Sequence, residues 1–265
     1  MTGVSIGRLF LGGAIPGLLM GLMLLITTYI IARTRKMGKE TEFNGKELLL
    51  STRDAVLCLL MPVVVLGTMI FGIATPTEAS GIAVVYALFL GGVIYREFTW
   101  ASLVEAVKNS AVTTASITFT IAGASVIGWV ATSEQIGPKL AQAFLAITDN
   151  PLLIMFMINA LILLLGFPLE PLPMIMMLIP ILMPVVKQLG IDPVHFIVVF
   201  TVNIQLALLT PPVGANLFVV TAISKSTILG VSRALIPFLI ALLVALVILI
   251  VYPPLTLWLP KVLMG

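Results

Sequence analysis

The feature that most restricts what this chain can become is the length of its uncharged runs. No Asp, Glu, Lys or Arg occurs between Leu9 and Ala32, Ala55 and Ala74, Ser110 and Ser133, or Ala234 and Pro260. A bilayer core of about 30 Å needs about 20 apolar residues of helix, so each run is long enough to cross. The run from Ala79 to Tyr95 is a little shorter and still adequate. Of the 265 residues 60% are hydrophobic and 9% charged, whereas a water-soluble domain carries roughly 25% charged residues to wet its surface. The chain therefore reads as all-α and integral to a membrane, of the bacterial inner-membrane, multi-pass type.

Its charges set an orientation. With the segment from Arg33 to Arg53 in the cytoplasm, Arg33, Arg35, Lys36, Lys39, Lys46, Arg53, Arg96, Lys108, Lys225 and Arg233 fall inside. Arg8, Lys139, Lys187 and Lys261 are left outside, an imbalance that satisfies the positive-inside rule and puts both termini outside. The net charge of +3 does not point to nucleic acid, because the basic residues flank apolar spans and form no stripe with interleaved aromatics. No basic stretch, short apolar core and small-residue cleavage site head the chain, so no cleavable signal is expected. Two polar stretches, Thr99 to Ser110 and Lys46 to Asp54, read as helices lying on the membrane. In the first, Trp100, Leu103, Val104 and Val107 share one side and Glu105 and Lys108 point away.

Several function classes are excluded by what is scarce. His195 is the single histidine, which rules against a His-based metal site or a catalytic triad. Glu170 has no second carboxylate at its depth, and neither Gly-x-Ser-x-Gly nor His-Glu-x-x-His occurs, so an enzyme is not expected. Cys58 lies within an apolar run and reads as a packed core thiol. A mere scaffold would gain nothing from breaks at membrane depth.

Two such breaks carry the functional signal. The stretch from Pro151 to Val186 is interrupted by Gly166, Pro168, Glu170, Pro171 and Pro173. A carboxylate there costs several kcal/mol unless it reaches water or a partner. The limbs on either side look short for full crossings, so the reading is a re-entrant hairpin with its tip at Glu170 facing a wet cavity. An ordinary extramembrane turn with Glu170 as a helix cap is the plainer alternative. The stretch from Val194 to Ser224 would run about 46 Å as a straight helix, and Thr210-Pro211-Pro212-Val213-Gly214 supplies its break. Prolines that cannot donate leave the carbonyls from about Ala207 to Leu209 free for a sodium ion. The half-helix that follows presents N–H groups to a carboxylate substrate. Asn203, Gln205 and Asn216 place amides around this break, so Glu170, Asn203, Pro211, Pro212 and Asn216 are the candidate substrate-binding residues. The plainer alternative is a proline-kinked helix whose polar groups satisfy its neighbours. Thr75-Pro76-Thr77-Glu78 reads as a capping box with proline at the first helical position.

From Gly3 onward the chain resembles the large membrane subunit of TRAP (tripartite ATP-independent periplasmic, DctM-like) transporters, in its C-terminal portion. The resemblance rests on a set of segments in order: Gly72 to Ala79, Thr148 to Pro151, Glu170-Pro171, Gly190 to Phe196, and Leu209 to Phe218. It implies sodium-driven uptake of an organic acid handed over by a periplasmic, DctP-like binding protein. It also implies a small DctQ-like membrane partner and elevator-like movement of the hairpin-bearing part. The family's sodium site would fall on Gly166, Ala207, Thr210 and Val213, mainly through backbone oxygens. Ala207 departs from the family's glycine there, and its methyl crowds the turn. The resemblance further implies one of two inverted repeats. Residues 1–32 would be the last helix of the first repeat, 33–53 a cytoplasmic connection and 54–265 the second repeat. Within that repeat, 54–110 would hold scaffold helices and a surface arm, and 111–265 the hairpin, broken helix and final span. The missing N-terminal repeat would then be a separate polypeptide, or the chain a truncated product. The competing reading is a sodium/dicarboxylate symporter of related fold that needs no binding protein. Which organic acid is carried is not written in the residues.

Overall fold

Within hydrocarbon, main-chain N–H and C=O groups must be paired inside the protein, and helices do this segment by segment. The computed structural model describes residues 3–36, 44–166, 171–210 and 215–265, and every regular element among them is helical. In order these are α1 (Ile6–Thr34), α2 (Gly45–Ile70), α3 (Pro76–Phe89, continued by a π turn over Leu90–Ile94) and α4 (Trp100–Ser133). They are followed by α5 (Ile136–Ile147), α6 (Pro151–Leu165), α7 (Pro171–Gln188), α8 (Pro193–Ala207), α9 (Ala215–Ser224), α10 (Ile228–Val251) and α11 (Pro254–Met264). Five of them, α1, α3 with its π turn, α4, α7 and α10, are long and apolar enough to cross a membrane. The protein is a multi-pass, all-α membrane protein.

One unit comprises Ala32–Thr114. Here α2 packs against α3, and the Tyr86 hydroxyl donates to the Leu57 carbonyl at 2.7 Å. The expected capping box is present: Thr75 Oγ1 accepts from the Glu78 N–H, and the Glu78 carboxylate accepts from the Thr75 N–H at 2.8 Å. Large side chains such as Leu49, Val63 and Val85 stay uncovered, as on helices solvated by lipid. Cys58 is one of these exposed positions, its thiol 3.7 Å from the Tyr95 hydroxyl. The core-thiol reading is therefore corrected, because hydropathy cannot separate a lipid-facing position from a packed one. The stretch expected as a surface arm, Thr99 to Ser110, leads without interruption into the run that follows: from Trp100 it is the first third of α4, a continuous helix of 34 residues. Its start is fixed by Thr99, whose hydroxyl accepts from the Ser102 N–H. The segment Gly45–Arg53 does depart from the span that follows, at 55° to Ala55–Ile70.

The second unit comprises Met1–Ile31 and Ala115–Leu263. Its centre is α8, where eleven of fifteen residues are buried and the remaining four, Pro193, Ile197, Thr201 and Gln205, fall on one narrow stripe. Helices α6, α7 and α10 pack on it. Ile154, Ile158 and Ile162 of α6, Met174 and Leu182 of α7, and Phe196 and Phe200 of α8 are almost wholly shielded. Met174 and Met183 are buried packing residues, whereas Met176 and Met177 are only partly covered. The segments Asn150-Pro151 and Asp192-Pro193 turn out to be helix starts. The Asn150 and Asp192 side chains accept from the N–H groups of Leu152 at 2.9 Å and Val194 at 2.8 Å, and each proline takes the first helical position. The last apolar run is not one span: α10 stops at Val251 and α11 begins at Pro254. His195 ties this end to α8 through a 2.8 Å hydrogen bond between its Nδ1 and Thr256 Oγ1.

Close approach in this unit depends on single glycines. A Cβ on Gly12 would stand 2.9 Å from the Thr256 carbonyl oxygen and 3.2 Å from the methyls of Val194 and Val198, whereas one on Gly13 would meet nothing within 4 Å. Gly12→Ala should therefore cost about 1–3 kcal/mol by overpacking. Gly13→Ala should be neutral or stabilise by up to about 1 kcal/mol. Thermal unfolding of the two variants in detergent checks the difference; equal midpoints would contradict the placement of α1.

Candidate cation and anion site at the helix breaks

Both interruptions lie where the sequence places them. Helix α6 ends at Leu165 with Gly166 as its cap, and α7 begins at Pro171. Helix α8 ends at Ala207, and α9 begins at Ala215. The candidate residues Glu170, Pro211, Pro212 and Val213 lie outside the described residues. The limbs of the first break differ in length: α6 has 15 residues, short for a crossing, whereas α7 has 18 and meets the length of a span. The expectation that both limbs are short holds for α6 only.

The two breaks meet through α6 and α8. Gly166 is buried, and its N–H donates to the Ile162 carbonyl at 2.8 Å. A Cβ at Gly166 would overlap the methyl of Ala207, so only glycine lets the end of α6 reach the end of α8. Thr210 follows within the same turn. Its N–H donates to the Ala207 carbonyl at 3.0 Å and its hydroxyl to the Leu206 carbonyl at 2.8 Å. Three of the four residues expected to hold a cation, Gly166, Ala207 and Thr210, are thus gathered at one seam.

The chain does not leave all of the expected carbonyls free. The last turn of α8 tightens to i→i−3 bonds, Leu209 to Leu206 and Thr210 to Ala207, both at 3.0 Å. The Leu208 carbonyl accepts from the Asn216 N–H at 3.4 Å across the break. Two of the three carbonyls from Ala207 to Leu209 are therefore engaged once. A carbonyl oxygen has two lone pairs, so each retains one. The groups that this turn presents are main-chain oxygens and one hydroxyl, the donor types that a hard monovalent cation takes. Among the described residues no group of three or more His, Cys, Asp or Glu side chains comes together.

The amides separate. Asn216 is exposed at the start of α9, and Gln205 is exposed on α8. Asn203 is fully shielded, and its amide nitrogen donates at 2.8 Å both to the main-chain oxygen and to Oδ1 of Asn159 on α6. Asn159 Nδ2 in turn donates to the Met155 carbonyl at 2.8 Å. The Asn203 Oδ1 atom accepts nothing, a state that costs about 1–3 kcal/mol for a buried acceptor. Asn159 did not emerge from the sequence reading, which followed the prolines. Its signal is that of a lone amide within a fifteen-residue apolar helix. A cavity of about 460 Å³ lined by Leu152, Met155, Asp192, His195 and Leu257 lies at the opposite, N-terminal ends of α6 and α8, apart from these residues.

The model of the family described as "Tripartite ATP-independent periplasmic transporter, DctM component" matches residues 1–255. The chain is 39% identical over 265 residues to the sialic acid TRAP transporter large permease protein SiaM of Vibrio cholerae, covering all of this chain and 62% of that protein. It is 37% identical over 260 residues to the C4-dicarboxylate TRAP transporter large permease protein DctM of Pseudomonas aeruginosa, covering 98% and 61% respectively. Against the isethionate TRAP transporter permease protein DctMQ of Oleidesulfovibrio alaskensis it is 38% identical over 251 residues, covering 94% and 39%. Each of the three is named as a transporter permease, and the chain spans about three fifths or less of their length.

The Gly166–Ala207 contact makes a reciprocal prediction. Gly166→Ala should lower the thermal unfolding midpoint, at a cost of about 1–3 kcal/mol. Adding Ala207→Gly should recover a large part, with a coupling of about 0.5–3 kcal/mol. Strict additivity of the two changes would contradict the contact.

Proposed function

The chain belongs to the DctM component family of tripartite ATP-independent periplasmic transporters, and from that membership we propose that it serves a sodium-coupled secondary transporter importing an organic acid. In this reading a periplasmic binding protein delivers the acid, and a small membrane subunit accompanies the permease in the bacterial inner membrane. The chain contributes one inverted repeat with the last helix of the other, oriented with residues 33–53 in the cytoplasm. The remaining repeat is supplied by further polypeptide.

The observation that carries the reading is the seam between α6 and α8. Two helices end against each other inside a buried core, and the atoms gathered there are Gly166, Ala207 and the Thr210 hydroxyl. Spare lone pairs on such oxygens suit a sodium ion, and the interruption before α9 leaves a helix N-terminus suited to an anion. Gly166, Ala207, Thr210 and Val213 would hold the ion. Glu170, Asn203, Pro211, Pro212 and Asn216 would border the substrate path, with Asn203 acting from behind the surface, since none of it is exposed. The relatives' named solutes, sialic acid, C4-dicarboxylates and isethionate, are all organic acids. When bound, the cation would supply positive charge at the seam; the chain's part is to orient oxygens towards it.

Uptake in proteoliposomes tests this. With the complementary repeat, the small subunit and a loaded binding protein present, labelled organic acid should accumulate under an inward sodium gradient. Accumulation should stop when potassium replaces sodium, and the chain alone should give none. Uptake that ignores sodium would contradict the coupling. Uptake without any binding protein would favour a symporter of related fold.

A further inference from the structure

Asn159 and Asn203 are bound to each other more completely than packing requires. Both hydrogens of the Asn203 amide go to Asn159, one to its main-chain oxygen and one to its Oδ1, each at 2.8 Å. The remaining polar atom, Asn203 Oδ1, is buried and accepts nothing. Among the described residues no third element bonds this amide, so its hydrogen bonds depend on how α6 stands to α8. Asn159 is anchored within its own helix by the Met155 carbonyl.

The pair also lies on the seam of the cation site. Asn203 precedes Ala207 by one turn of α8, and Asn159 precedes Gly166 by two turns of α6, spacings that keep each pair of residues on one helical face. The amide bridge and the Gly166–Ala207 contact are successive rungs between the same two helices. The upper rung is a bare van der Waals approach, which resists compression and does nothing against separation or sliding. Only the lower rung is directional.

We propose that Asn159 and Asn203 are a positioning pair that holds the end of α6 in register with the broken end of α8 and so sets the affinity of the intervening oxygens for their cation. The cation clause rests on the proposed function; the register clause stands without it. The pair touches neither ion nor substrate and acts through Gly166, Ala207 and Thr210.

Two measurements on the full chain in lipid nanodiscs test the pair, using Asn159→Leu, Asn203→Leu, the double variant, and Asn203→Ser as a milder change should the leucine variants fail to fold. The first is the sodium concentration giving half-maximal protection against thermal unfolding, with potassium holding ionic strength constant. Each single leucine variant should raise it about fivefold or more, and the double variant should raise it no further, because the two side chains act as one. The second is amide exchange at Leu209 and Thr210, whose N–H groups close the last turn of α8. It should quicken about tenfold, while exchange in α10 stays as it was. Asn203→Ser should change both readouts in the same direction and by less. A lowered unfolding midpoint with sodium half-point and exchange both unchanged would overturn the proposal, leaving the amides a purely cohesive role. Should the unaltered chain show no sodium-specific protection, the cation reading fails separately, and exchange alone decides the register: acceleration upholds it and unchanged exchange overturns it.

Discussion

The constraint on which this structure depends is that a helix cannot simply stop inside hydrocarbon. Each terminus exposes main-chain groups that water is not there to satisfy. Where α8 ends at Ala207, its last turn tightens, Thr210 turns its hydroxyl back onto the Leu206 carbonyl, and Asn216 reaches across from α9 to the Leu208 carbonyl. The break is thus stabilised by local bonds that use one lone pair per oxygen. What is left over is a small set of main-chain oxygens with a spare lone pair each, and it arises because the ladder is broken.

Such a break must also be buried in protein, and α8 is. Eleven of its fifteen residues are buried, with α6, α7 and α10 packed on it, and only the face that carries Thr201 and Gln205 stays open. Glycine and asparagine perform different parts of that enclosure. Gly166 lets the end of α6 close on the Ala207 methyl where any side chain would hold it off, and Asn159 with Asn203 supplies a directional bond where lipid offers no hydrophobic drive for helices to associate. The membership in a transporter family follows from the sequence comparisons; the geometry describes how this chain's own helices end at these two points.

Much of this could be read from the residues, and the failures are instructive. Uncharged length located the spans, Thr75 to Glu78 announced its own cap, and the prolines near 171 and 211 marked the breaks. Local chemistry decides those features. The continuity of α4 through Thr99 to Ser110 was missed because an amphipathic pattern says which face is apolar, not where a helix bends. The stop at Val251 was missed although Tyr252-Pro253-Pro254 carries the signal. The exposure of Cys58 and the partnership of Asn159 with Asn203 were out of reach for a different reason. Hydropathy treats lipid and protein interior alike, and a contact across 44 residues of chain leaves no periodic trace.

The proposed function places a sodium ion at the seam between Gly166 and Thr210. Equilibrium binding of radioactive sodium to the full chain in nanodiscs, beside a Gly166→Leu variant that wedges α6 from α8, tests it most directly. Saturable binding that unlabelled sodium displaces, that potassium does not, and that the wedge abolishes is the predicted result. Binding that never saturates, or that survives the wedge undiminished, would contradict the claim.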